Sequence, residues 1–241
     1  MKKSSLLLVV ALVVLMACGR RQPVRPEESA DAISLFHSSP GDSTLYGLAC
    51  DGCTDSLLIF LPYAGGNPDT FDILEAQRQH RVYGRPHIGD EMALIPNPEQ
   101  PGEAILVINL SLLQGRWHYM MTPTLRQRVD GLPRPQLPDS IRRRILAPHE
   151  YSLILKRDRS AFSLGAPRQT NSMSPVSYPE ARHYTSWRIS NGQLILRCDT
   201  IPGMGRQEVP GDDTVSIELL RRDTLVLRFA DHEQYYYKKE K

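Results

Sequence analysis

Residues 184–198 read YTSWRISNGQLILRC, and this stretch decides the fold. Two short runs, Tyr184–Ile189 and Gln193–Cys198, flank Asn191-Gly192. That dipeptide accommodates the two positive-φ positions of a tight hairpin turn, so the runs read as paired antiparallel strands. Trp187 and Ile189 recur at every second position in the first run, as do Leu194, Leu196 and Cys198 in the second. Period-two alternation gives each strand a dry face and a wet one.

Working outward, the same pattern marks Gly115–Met121, Glu150–Arg157, Ala161–Gly165, Thr214–Leu220, Thr224–Phe229 and Glu233–Lys239. Short turns at Arg221–Asp223 and Ala230–His232 join the last three. Eight strands with short late connections predict an up-and-down β-barrel over residues 110–241. The dry faces carry Trp117, Tyr119 and Met121, then Tyr151, Leu153 and Leu155, then Val215, Ile217 and Leu219, then Leu225, Leu227 and Phe229, and finally Tyr235 and Tyr237. They include no Asp, Glu, Lys or Arg. Trp117, Tyr119, Tyr151, Trp187, Phe229, Tyr235 and Tyr237 are therefore the candidate interior, ligand-facing residues. Two insertions interrupt the pattern. Pro123–Pro148 holds a short helix from Asp139 or Ser140 to Leu146, and Ala166–Arg182 reads as a loop.

Towards the N-terminus, Thr44–Cys50 and Asp55–Leu61 flank Asp51-Gly52, a second hairpin signal. Thr70–Ala76, Arg81–Tyr83, Glu91–Ile95 and Ala104–Ile108 continue as candidate strands. Five or six strands in this length predict a small barrel of the OB or SH3-like kind over residues 43–109. The whole chain is thus expected to be all-β, consistent with 19 prolines and 16 glycines that punctuate it into short segments.

Cys50-Asp51-Gly52-Cys53 wraps the first hairpin turn. The ends of a four-residue turn lie within about 7 Å, within reach of a disulfide. In an oxidising compartment a stapled turn is the expectation, ahead of a free dithiol. A redox catalyst of the thioredoxin kind needs a helix directly after the motif, and none is expected here. Zinc takes about four ligands, and no second Cys or His pair has metal spacing, so no metal or cofactor is expected.

Met1-Lys2-Lys3, the apolar stretch Leu6–Met16 and the small residues Ala17-Cys18-Gly19 have the layout of a secretory signal peptide. Leu15-Met16-Ala17-Cys18 resembles the bacterial lipobox, which implies removal of residues 1–17 and lipidation of Cys18. Two or three acyl chains on one residue give stable membrane attachment. Gly19 stands where lipoproteins retained in the inner membrane typically carry Asp, so by the same resemblance the outer membrane is expected. No acidic run follows the cysteine, which favours the periplasmic face over the cell surface. Residues 18–42 are polar, contain proline and read as a tether. Without Lys2 and Lys3, 27 Lys+Arg stand against 27 Asp+Glu. A neutral, scattered balance leaves no electrostatic footprint for nucleic acid.

Leu113-Gln114-Gly115-Arg116-Trp117 resembles the Gly-x-Trp signature that opens the first strand of lipocalins. Asp223–Phe229 followed by Tyr235–Lys239 resembles the closing hairpin of lipocalin-like bacterial lipoproteins. The resemblance spans about residues 110–241. It implies an eight-stranded ligand-binding barrel and a basic residue of the last strand over the tryptophan, a place Lys238 can take. No G-x-S-x-G, S-x-x-K or P-loop occurs. Asp231-His232-Glu233 falls in a turn, His118 on a wet face, and Arg142–Arg144 on a short solvated helix. Acid–base catalysis needs positioned titratable groups, which the dry faces lack, so a non-enzymatic role is expected. The reading is a membrane-anchored envelope lipoprotein whose barrel binds a small hydrophobic ligand. The alternative is an envelope scaffold with a filled barrel and an unknown protein partner.

Overall fold

The computed structural model describes residues 41–126, 128–129, 132–133, 136–165, 175–179, 181–199 and 210–239. The expected signal peptide, Cys18 and the expected tether up to residue 40 lie outside the described residues.

The N-terminal part comprises β1 (Leu45–Ala49), β2 (Leu57–Pro62), β3 (Asp69–Asp72), α1 (Leu74–Arg78), β4 (Val82–Tyr83), β5 (Glu91–Pro96), β6 (Ala104–Asn109) and α2 (Leu110–Leu113). Its six-stranded sheet has the order β3-β2-β1-β5-β6-β4. A parallel bridge between Asp72 and Glu103 brings the far edge, β3, back to the start of β6. The Asp72 N–H donates to Gly102 O at 2.7 Å beside it. Five strands thereby curl into the small, partly open barrel expected here, around Leu58, Phe60, Phe71, Met92, Leu94 and Val107. The expected strand Thr70–Ala76 is only half strand. The Asp72 carboxylate accepts the Leu74 N–H at 2.8 Å, a local Asx-type turn that competes with the ladder, and a helical turn follows instead.

The C-terminal part begins with β7 (Gly115–Met121), followed by the short strands β8 (Thr124–Leu125), β9 (Arg128–Val129) and β10 (Leu132–Pro133), then α3 (Asp139–Ile145). β11 (His149–Leu155), β12 (Ala161–Leu164), the short β13 (Val176–Ser177), β14 (Tyr184–Ser190), β15 (Gln193–Cys198), β16 (Gly211–Leu220), β17 (Thr224–Arg228) and β18 (Glu233–Tyr237) complete it. Eight of these form one antiparallel sheet in the order β12-β11-β7-β18-β17-β16-β15-β14. The outer two, β12 and β14, meet through the Ser160–Ser186 bridge and the Trp187 N–H donating to Arg159 O at 2.8 Å. The result is a nearly closed up-and-down barrel.

Two dry-face assignments shift by one residue. Tyr235 and Tyr237 are 63% and 37% exposed, whereas Tyr236 is 5% exposed and points inward. Three consecutive tyrosines carry no alternation that could set their phase. The phase comes from the pairing of Tyr236 with inward Leu225 and of Tyr237 with outward His118. In β16 an irregularity between Ile217 and Leu219 moves the inward position to Leu220, which pairs with Leu225, as a bulge does.

The described residues belong to a single compact unit, and the small barrel plugs one end of the large one. Ala93 and Ile108 of the first sheet share a core with Leu110, Leu113, Trp117, Leu155, Trp187, Ile189 and Leu194. The Tyr46 hydroxyl donates to Ile189 O at 2.5 Å, and the Asp42 carboxylate accepts the Asn191 N–H at 2.9 Å. Gly192, at φ +77°, sits so close to the first sheet that a Cβ would lie 2.8 Å from Leu106. Glu91, 4% exposed, reaches across to Arg157 Nε at 2.8 Å and accepts from Gln114 Nε2 at 2.8 Å.

Candidate functional site

At the plugged end each tryptophan is pinned from both sides. Trp117 Nε1 donates to Leu113 O at 2.7 Å, and Lys238 Nζ stands 4.2 Å over its ring while donating to Leu112 O at 2.9 Å and Gln114 O at 3.0 Å. Burial holds the Lys238 pKa below the ordinary lysine value. Gly115 adopts φ +127°, and a Cβ there would meet Lys238 Cε at 3.2 Å, so glycine suits this position twice over. Trp187 Nε1 donates to Lys156 O at 2.8 Å, with the Arg159 guanidinium 4.3 Å over its ring. Both indoles are packed core, not cavity wall.

The opposite end is open. A cavity of about 610 Å³ lies between the strands there, within the usual ~300–1,000 Å³ range of small-molecule sites. β7 rises from Trp117 to Tyr119 and Met121 on one face, so Tyr119 forms the floor one layer above the indole, beside Leu153 and Tyr236. The Tyr119 and Tyr236 rings meet at 5.0 Å between centroids. Burial and the neighbouring Tyr151 push the Tyr119 pKa up to about 12, and burial raises that of Tyr236 further. The Tyr151 hydroxyl donates to Pro179 O at 2.6 Å. Phe229 lies at the rim, its ring stacked on His232 at 4.9 Å, and His232 Nδ1 is 2.6 Å from Asp231.

A charged cluster completes the rim. Arg182 pairs with Asp213, and the Tyr184 hydroxyl donates to the other oxygen of that carboxylate at 2.7 Å. Burial and this bond raise the Tyr184 pKa. A hydrogen bond to the buried Cys198 thiol, then Asp213, raises that of Arg182. This corrects the expectation of an interior without charge. β16 starts at Gly211 rather than Thr214, so Asp213 continues the inward series of Val215 and Ile217. The signal was present two residues before Val215, beyond the expected strand end. Arg182 had no such signal, because it comes from the loop.

A solved lipocalin-like protein from Bacteroides thetaiotaomicron VPI-5482 is similar to this chain. The two are 23% identical over 52% of this chain and 95% of that one, with a TM-score of 0.29. No protein-family model and no curated protein matches.

The cavity therefore gathers Tyr119 and Phe229 of the expected interior residues, while Trp117, Tyr151 and Trp187 are buried in the core and Tyr235 and Tyr237 face outward. Cys50 and Cys53 are free thiols on the first hairpin, so the expected staple is not formed. Cys53 Sγ is instead turned into the turn, 3.1 Å from Cys50 O and accepting the Ile59 N–H at 3.3 Å. His118 lies on the outer face as expected, yet it is only 7% exposed. Ser152 Oγ and Glu150 Oε1 each approach its Nδ1 at 3.2 Å. A serine-hydrolase relay needs the two ring nitrogens to serve different partners, so this trio ties β7 to β11. Among the described residues no group of three or more His, Cys, Asp or Glu could hold a metal ion.

Proposed function

We propose that this protein is a cell-envelope lipoprotein that binds a small, mainly apolar molecule in the open end of its eight-stranded barrel. The observation that carries the reading is the cavity itself. A barrel of eight strands can be filled by its own side chains or hold one small ligand, and here the filling stops one layer above Trp117 and leaves about 610 Å³. Its apolar and aromatic wall of Tyr119, Met121, Leu153, Phe229 and Tyr236 is matched by polar and charged groups such as Ser163, Arg182, Asp213 and Gln234, which suits a molecule with an apolar body and a polar group. The role is binding rather than catalysis. Anchorage through acylated Cys18 to the periplasmic face of the outer membrane rests on the lipobox resemblance.

The test is native mass spectrometry of the full chain carrying Cys18→Ser, secreted into a bacterial periplasm. A bound mass lost on denaturation supports the reading; a bare chain that also takes up no apolar probe removes it. The unsubstituted chain, made in a Gram-negative host, is expected to lose residues 1–17 and gain acyl mass on Cys18.

A scaffold role is the second reading. Phe162, Leu164, Met120, Tyr235 and Tyr237 are exposed on the outer face of the neighbouring strands β12, β11, β7 and β18. A bare chain in the same experiment favours it.

A further inference from the structure

We propose that the cavity selects a neutral molecule with a carbonyl-type oxygen, seated oxygen-first between the Tyr119 and Tyr236 hydroxyls. The proposal rests on the ligand-binding reading and names the ligand class of that same site.

Tyr119, Tyr184 and Tyr236 line this end of the barrel and Tyr151 packs against Tyr119, and their hydroxyls divide into two kinds. Those of Tyr151 and Tyr184 are spent on Pro179 O and Asp213. Those of Tyr119 and Tyr236 hydrogen-bond to no group among the described residues, although the side chains are only 9% and 5% exposed and line the floor. Their oxygens are open to the cavity, and a ligand that fills the floor would strand them, which is costly unless it brings hydrogen-bonding capacity to them. The raised pKa values keep both groups protonated at neutral pH, and a phenol at a ring edge offers its proton to an acceptor oxygen. Two donors on adjacent rings of one floor, 5.0 Å apart between centroids, suit a carbonyl, which has two lone pairs.

Charge decides which acceptor. No Lys or Arg reaches the floor among the described residues lining the cavity, and Arg182 at the rim already serves Asp213. Burying a carboxylate without a cation is far costlier than burying a ketone, ester or amide oxygen. Of the carboxylates lining the cavity, Asp213 pairs with Arg182 and Asp212 with Arg188, so neither arginine is left without a carboxylate to hold an entering anion. A cationic head would stop at those carboxylates and leave the floor unpaired. Above the hydroxyls, Leu153, Met121 and Phe229 supply apolar wall for the body of the molecule.

Three probes of one shape test this: 2-acetylnaphthalene, 2-ethylnaphthalene and 2-naphthoate. Each is titrated by calorimetry into the full chain carrying Cys18→Ser and into the same chain with Tyr119→Phe and Tyr236→Phe added. The ketone is expected to bind the parent about tenfold more tightly than the hydrocarbon, the worth of two neutral hydrogen bonds, and more tightly than the carboxylate. The two Phe substitutions should remove that advantage and leave the hydrocarbon unchanged. Equal binding of ketone and hydrocarbon to the parent, or tightest binding of the carboxylate, overturns the ligand class while the cavity reading stands. Binding of none of the three to the parent overturns both. The comparison among probes on the parent chain remains decisive even if the substituted chain does not fold.

Discussion

The two ends of the large barrel are built by the same eight strands and have opposite fates. At one end the inward positions are Trp117, Trp187, Ile189, Leu155 and Leu194, all buried against α2 and the first sheet. At the other they are Tyr119, Tyr184, Tyr236, Asp213 and Phe229, and space remains between them. The difference lies less in the strands than in what meets them. A second sheet supplies apolar surface at the plugged end, so bulk can be packed to core density there. Nothing among the described residues covers the open end in that way, and its inward side chains keep polar tips. Alternation assigns a residue to a face, and the neighbour at each end decides whether that face becomes core or site.

The largest effect that would break this contrast is at Trp117. Trp117→Ala removes a fully buried indole and is expected to cost about 3–5 kcal/mol, read by urea unfolding. Tyr236→Phe, one layer away, should stay within about 0.5 kcal/mol, because its hydroxyl bonds to no described group. Comparable losses at both would mean that the open end is core as well.

Next in size is the join between the two sheets. Glu91→Ala deletes a buried carboxylate and leaves Gln114 without its acceptor, while most of Arg157 stays in solvent. A loss of about 2 kcal/mol is expected, as for hydrogen bonds to a charged group. It should appear in a single unfolding transition shared by both barrels. Two separated transitions in Glu91→Ala would show that this carboxylate is what couples them.

How much of this was legible in the sequence follows the same division. Asn191-Gly192 and the strict alternation of β14 and β15 announced the barrel, because a strand with one dry face must alternate. Even Lys238 over Trp117 was anticipated, through the lipocalin resemblance. Where residue type does not alternate, the inward face is not encoded locally. The run Tyr235–Tyr237 is aromatic on both faces, so only pairing with β7 and β17 reveals that Tyr236 is the inward member. The bulge near Glu218 likewise leaves no mark in residue type. The site was the least legible part. Tyr119 and Phe229 were in hand, but the polar rim depends on Asp213 extending a strand and on Arg182 arriving from a loop. Both are tertiary facts. The cavity depends on the absence of side-chain volume, which no single residue encodes.

Alkaline pH sharpens the comparison further. Tyr119 has a folded-state pKa of about 12 against 10 when unfolded. Its contribution is full below pH 10 and is lost as pH rises towards 12, because the unfolded chain releases the proton first. The slope is up to about 1.4 kcal/mol per pH unit. Tyr46, at the plugged end, is pushed up to about 12 as well, so the two ends should lose stability together. Lys238 acts in the opposite sense. Its folded pKa is lowered, so stability rises with pH as it deprotonates ahead of the unfolded chain. Urea unfolding between pH 9 and 11.5 should therefore show a falling stability that Tyr119→Phe makes shallower and Lys238→Met makes steeper. An unchanged slope in Tyr119→Phe would place that ring in water.

The smallest effect is expected at the rim. Arg182 and Asp213 form an ion pair whose side chains are 40% and 22% exposed, and such a pair contributes under about 1 kcal/mol. Arg182→Ala should thus barely move the urea midpoint, and the residual difference should shrink in high salt. Its larger consequence is chemical. Asp213 would keep only the Tyr184 hydroxyl, making the mouth more negative and raising its preference for cationic over anionic probes. If Arg182→Ala costs as much stability as Glu91→Ala, the rim is a structural clasp like the plugged end. If it changes probe preference and leaves stability alone, the same barrel has a packed end and a selective one.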